Sequence, residues 1–157
     1  MGQYSIVPAE SVAQLDAVRK LLLEYWKDRK LELYVFNFDQ ELTGLPGDYA
    51  PPDGRLLLAH CGEVVAGCVA LRKLEPGICE MKRLYLREEF RGKGLGRVLT
   101  EAIISEARTI GYQKMRLDTI GPNMQEAVGL YRRLGFQEIA AYRLNPLAGV
   151  MFMELTL

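Results

Sequence analysis

Apolar positions change period along this chain, and the changes mark out its elements. Gln3 to Pro8 reads as a short first strand. Val12, Leu15, Val18, Leu22 and Tyr25 then recur by threes and fours behind Ser11, an N-cap residue, predicting a helix to about Lys27. Tyr34, Phe36 and Phe38 alternate in a segment that is either extended or an irregular turn, ahead of a short helical stretch over Asp39 to Leu42. Arg55 to His60 and Val64 to Leu71 are apolar runs joined by Cys61-Gly62-Glu63, the pattern of an antiparallel hairpin, and Cys79 to Leu86 alternates as a fourth strand. Helical spacing returns with Leu95, Val98, Leu99, Ala102, Ile103, Ala107 and Ile110, in a helix predicted to end near Gly111. Lys114 to Asp118 is a strand. Gly121-Pro122-Asn123 opens another helix, which carries Ala127, Leu130, Tyr131 and Leu134 and stops at Gly135. Phe136 to Ile139 and Val150 to Leu155 read as final strands on either side of an Arg143-Leu144-Asn145-Pro146 loop. The order β-α-α-β-β-β-α-β-α-β-β predicts an α/β (α+β) fold, a mixed sheet flanked by helices, with no internal repeat.

Composition narrows this reading. At 157 residues and with no visible linker, residues 1–157 are expected to form a single domain. Lys plus Arg equal Asp plus Glu at twenty each, so nothing draws the whole molecule to nucleic acid or an anionic membrane, and any phosphate binding must be local. Cys61, Cys68 and Cys79 lack CxxC spacing and are read as reduced thiols; with the single His60 they make no zinc set, so no metal is expected. Met1 to Ala9 has no signal pattern and no apolar run reaches spanning length, which gives a cytoplasmic expectation.

The candidate chemistry begins at Arg91-Gly92-Lys93-Gly94-Leu95-Gly96-Arg97, between the fourth strand and the long helix. Glycines at alternate positions let the backbone turn tightly and approach a ligand, while the first helical N–H groups stay unpaired. The helix dipole and the charges of Arg91, Lys93 and Arg97 would favour a pyrophosphate there. No Gly-Lys-Ser/Thr follows, so the turn is not a nucleotide P-loop. The Gly-x-Gly-x-Gly spacing in mid-chain also makes a poor dinucleotide fingerprint.

Two separated motifs coincide with one family. Arg91, Gly94 and Gly96 match the Arg/Gln-x-x-Gly-x-Gly/Ala loop, and Asn123, Ala127, Leu130, Tyr131, Gly135 and Phe136 match Asn-x3-Ala-x2-Leu-Tyr-x3-Gly-Phe, so the chain resembles the GNAT superfamily of acyl-coenzyme A-dependent N-acetyltransferases. The resemblance implies a mostly antiparallel sheet of about seven strands with about four helices. It also implies transfer of an acetyl group from acetyl-coenzyme A, as co-substrate, to a primary amine of a small molecule or peptide. A non-catalytic acyl-coenzyme A-binding module is the alternative.

Carried onto this sequence, the main chain from Gly92 to Arg97 would bind the pyrophosphate, and Leu84, Tyr85 and Leu86, on a strand that splays from its neighbour, would pair with the pantetheine amides. The N–H near Leu84 would stabilise the tetrahedral oxyanion. Glu80, on the same strand face as Lys82 and Leu84, is the candidate general base; pairing with Lys82 or Arg83 is its competing role. Tyr131 is the candidate acid for the departing thiolate, since a phenol of pKa about 10 is close to a thiol in basicity, and plain helix packing is its alternative. Asn123 would hydrogen-bond the pantetheine arm or simply cap its helix. Tyr34, Phe36, Phe38, Tyr142 and Asn145 are candidates for the acceptor pocket. A homodimer through the outer strands is compatible with this arrangement.

Overall fold

Ser11 starts the first helix as its sequence suggests. Its Oγ accepts from the Gln14 N–H at 3.1 Å, while Gln14 Oε1 accepts from the N–H groups of Glu10 and Ser11, a reciprocal capping box. This is seen in a computed structural model, which describes residues 4–28, 38–119, 125–143 and 149–157. The strands are β1 (Tyr4–Pro8), β2 (Arg55–Cys61), β3 (Val64–Glu75), β4 (Ile78–Leu86), β5 (Lys114–Thr119), β6 (Gln137–Ile139) and β7 (Met151–Thr156). The helices are α1 (Val12–Asp28), α2 (Phe38–Thr43), α3 (Leu95–Ile110) and α4 (Gln125–Arg133).

The strands form one sheet in the order β1-β2-β3-β4-β5-β7-β6, antiparallel throughout except for the parallel pair β4 and β5. The mixed, mostly antiparallel reading is thus correct. β3 runs further than its apolar stretch, because Arg72, Lys73 and Glu75 pair with Glu80, Cys79 and Ile78 across the Pro76-Gly77 turn. Pairing continued the strand where hydrophobicity gave out.

Helices cover both faces. Leu57, Met81, Met115 and Met153 pack with Leu95, Leu99 and Ile103 of α3 and Tyr131 of α4, whereas Leu56, Leu58, Ala70 and Tyr85 pack with Val18, Leu22 and Trp26 of α1 and Phe38 of α2. The unbroken apolar run from Leu56 to Ala59 makes sense in a strand buried on both sides. Phe38 starts α2 and is stacked on Trp26 with ring centroids 3.7 Å apart; Tyr34 and Phe36 lie outside the described residues.

Candidate functional site

The pairing of β4 and β5 stops early. It covers Ile78 with Lys114, Cys79 with Met115 and Glu80 with Arg116, after which β5 stays paired with β7 as far as Thr119 and Met151. The main-chain groups of β4 that face β5 beyond Glu80 therefore have no strand partner among the described residues. That is an open edge inside a sheet, able to accept an extended ligand with amide groups.

A bulge sets how β4 lines this gap. Cys68 pairs with Tyr85 and Ala70 with Lys82, so β4 spends an extra residue, and Arg83 adopts φ 60°. A left-handed arginine costs about 1–2 kcal/mol. It is held by two hydrogen bonds to Glu41, at 2.7 and 2.8 Å, and by the rings of Tyr25, Trp26 and Phe38, with centroids 5.3 to 5.9 Å from the guanidinium carbon. Burial pushes the Glu41 carboxyl up, but Arg83's hydrogen bonds and charge prevail and hold it below its usual range. The extra residue corrects one expectation: Leu84 does not share a face with Glu80 and Lys82. It packs with Leu86 on the α3 side, while Tyr85 turns toward α1.

The glycine turn lies at the mouth of the gap. Gly92 and Gly94 have φ 75° and 86°, and Gly94 is the N-cap of α3. Val98 donates to the Gly94 carbonyl, so the N–H groups of Leu95, Gly96 and Arg97 precede the first full turn and lack intrahelical acceptors. Gly96 has ordinary φ, and a Cβ there would lie in ordinary contact, 3.6 Å from Leu86 and 3.9 Å from Leu130.

The basic side chains are less free than the sequence suggested. Arg91 Nε donates to the Leu86 carbonyl at 2.8 Å, its Nη2 pairs with Asp28 at 3.1 Å, and Arg97 pairs with Glu101, leaving exposed Lys93 as the loop cation with no ion pair among the described residues. Arg91 thus fastens the loop to β4 and α1.

Tyr131 is buried on α4 in the same packed cluster as Leu84 and Leu86, its ring centroid 5.6 Å from that of Phe136. Phe136 N–H donates to the Tyr131 carbonyl at 2.9 Å, closing the helix behind Gly135. Asn123 lies outside the described residues.

On the other face Glu80 is wholly buried and enclosed. It accepts from Arg72 at 2.9 Å, Arg143 at 3.3 Å and the Tyr142 hydroxyl at 2.5 Å, with Lys82 Nζ 3.9 Å away. Arg143 also donates to Asp118 at 2.6 Å. Burial, then the Glu80 charge, raises the Tyr142 phenol's pKa; burial, then the Arg83 charge, brings Lys82 down to about 8. Of the expected pocket residues, the structure brings Tyr142 to Glu80, buries Phe38 as core against Trp26, and leaves Tyr34, Phe36 and Asn145 outside the described residues. Sequence reasoning named Lys82 only as a partner for Glu80 and did not single out Arg72, Asp118 or Arg143. Their signal was charge at positions in or beside otherwise apolar strands.

A model of the Acetyltransferase (GNAT) family matches residues 15–136. An uncharacterized N-acetyltransferase of Schizosaccharomyces pombe is 39% identical over 153 residues, covering 96% of this chain and 93% of its own. Among solved structures, an acetyltransferase from Streptococcus agalactiae superposes with TM-score 0.81 at 21% identity, covering 98% of both chains. The PaiA N-acetyltransferase of Thermoplasma acidophilum, solved with coenzyme A, has TM-score 0.75 at 17% identity, covering 99% of both.

Proposed function

The chain belongs to the GNAT acetyltransferase family, and we propose that it moves the acetyl group of acetyl-coenzyme A to the primary amine of a small molecule or peptide by direct attack. The observation that carries this is the adjacency of two features: an open β4 edge beyond Glu80 and a helix N-terminus capped by Gly94. The free amides from Gly92 to Arg97 suit a diphosphate, and the main chain from Leu84 to Leu86 suits an amide-bearing arm. One lone pair at Leu86 is already taken by Arg91, so pairing there falls chiefly to Leu84 and Tyr85.

In this reading the amine nitrogen attacks the thioester carbon, the carbonyl oxygen gains negative charge beside the Leu84 N–H, and the C–S bond breaks as the tetrahedral species collapses. Tyr131 supplies the proton that the sulfur takes up. The proton lost by the amine goes to Glu80, reached through the Tyr142 hydroxyl, because the buried carboxylate has no direct access to an acceptor. Asn123 supports the donor arm. The continuous seven-stranded sheet supports a single domain over residues 1–157. Among the described residues no helix is long and apolar enough to cross a membrane.

Release of free thiol from acetyl-coenzyme A, followed across a panel of amines, tests the activity and names the acceptor together. Coenzyme A bound without thiol release from any amine would leave a binding module instead.

A further inference from the structure

The face of the sheet beside the gap carries more positive than negative charge. Neighbouring charges cancel, Arg83 with Glu41, and Lys114 and Arg116 with Glu154 and Glu75. What remains among the described residues is Arg72, Lys82 and Arg143 around Glu80 and Asp118, three cations to two carboxylates. Asp48 comes within 4.0 Å of Arg72, but its side chain is 83% exposed and screened by water.

Lys82 is the cation held only at ion-pair distance, with no hydrogen bond to a carboxylate among the described residues. Arg72, Arg143 and Tyr142 occupy the oxygens of Glu80, and the Lys82 ammonium stands 3.9 Å off, beyond hydrogen-bonding distance, with its side chain only 13% exposed. Buried cations are ordinarily paired, and an ammonium has three protons to donate. Burial and the nearby Arg83 charge depress its basicity, so the free protein holds this charge at a cost. Lys82 also lies two residues past the last β4–β5 pair, on the face opposite Met81 and Leu84, and so beside the gap that the proposed function gives to the donor arm.

A surplus positive charge repels a simple alkylammonium. It attracts a molecule that brings a negative group of its own. We propose that Lys82, with Arg72 and Arg143 beside it, binds a carboxylate of the acceptor, so that the substrate is an amino acid, with amine and carboxylate on one small molecule. One surplus charge matches one carboxylate, whereas a phosphate, near two negative charges at neutral pH, would overbalance it. The inference rests on the acetyltransferase reading and narrows its acceptor.

The test follows thiol release by the full chain with α-amino acids, their methyl esters and the matching decarboxylated amines. The acids are expected to exceed their esters by about ten-fold or more in kcat/KM, the value of a charge-assisted hydrogen bond. Lys82→Met should raise KM for the acids far more than it lowers kcat and leave the dissociation constant of coenzyme A unchanged in calorimetry, and Lys82→Arg should restore the preference. Esters or amines turned over as well as the acids would overturn the carboxylate subsite while leaving the transferase standing. No thiol release from any compound, with coenzyme A still bound, would overturn both. The ester comparison uses the unaltered chain and so does not depend on any variant folding.

Discussion

Removing the charge of Lys82 separates a cation kept for binding from one kept for the fold. Its pKa in the folded protein, about 8, lies below the ordinary lysine value of 10.5. Between those values the unfolded chain holds a proton that the folded chain has released, so stability rises with pH across that window, and below it the cost of the buried charge is fully present. Lys82→Met is therefore expected to raise the melting temperature at pH 7 and to flatten the rise above pH 8; thermal melts over that range give both. Tyr131 answers to a different measurement. Tyr131→Phe keeps the ring against Phe136 and removes only the hydroxyl, so kcat should fall by about a hundred-fold while donor affinity holds. Steady-state kinetics beside calorimetry decides it, and the reverse pattern would make the tyrosine a binding residue. Glu80→Gln should lower kcat with donor affinity unchanged; an unaltered kcat would assign the proton to water.

At the level of elements, the strand bulge and the helix cap each rest on one unusual backbone. Glu41→Gln weakens the clamp on a buried arginine, and breaking such a pair costs about 3–5 kcal/mol, readable in denaturant unfolding. Because that clamp fixes where the Leu84 N–H points, turnover should fall as well. The loop glycines divide into two kinds. A Cβ at Gly94 meets nothing within 4 Å, so Gly94→Ala should lose about 1–2 kcal/mol through its left-handed φ alone, whereas Gly96→Glu sets a negative charge at the helix N-terminus proposed for the diphosphate and should raise the coenzyme A dissociation constant by orders of magnitude. Calorimetry distinguishes them. The cap and the glycine turn were legible in the sequence because their chemistry is local: a hydroxyl before an apolar face, small residues where a turn must form. The bulge was not, because it fell on an arginine rather than a glycine or asparagine, and its support comes from a helix some forty positions away. Alternation therefore put Leu84 on the wrong face.

Across the whole molecule, the order of elements and both helix layers could be read from periodicity, since each element buries a face of its own. The early end of the β4–β5 pairing left no local mark; strands that part look the same in sequence as strands that stay together. The enclosure of Glu80 likewise depends on Tyr142 and Arg143, which only the sheet order brings alongside. The same long-range ion pairs set the response to acid. Glu41 and Glu154 titrate below the ordinary 4.5, in each case against burial and because of an arginine partner, so their stabilisation is complete above that pH and is lost as pH falls through their lowered values. Unfolding followed by circular dichroism should show stability declining from about pH 4.5 downward, and less steeply in Glu41→Gln. One such link joins the last residue of α1 to the glycine loop: Asp28 accepts from both Tyr85 and Arg91, and Arg91 in turn grips the Leu86 carbonyl. Anyone who diversifies the end of that helix to retune selectivity will be loosening the loop proposed to cradle the diphosphate in the same stroke, and winners from such a library will need to be sorted by cofactor saturation before their preferences mean anything.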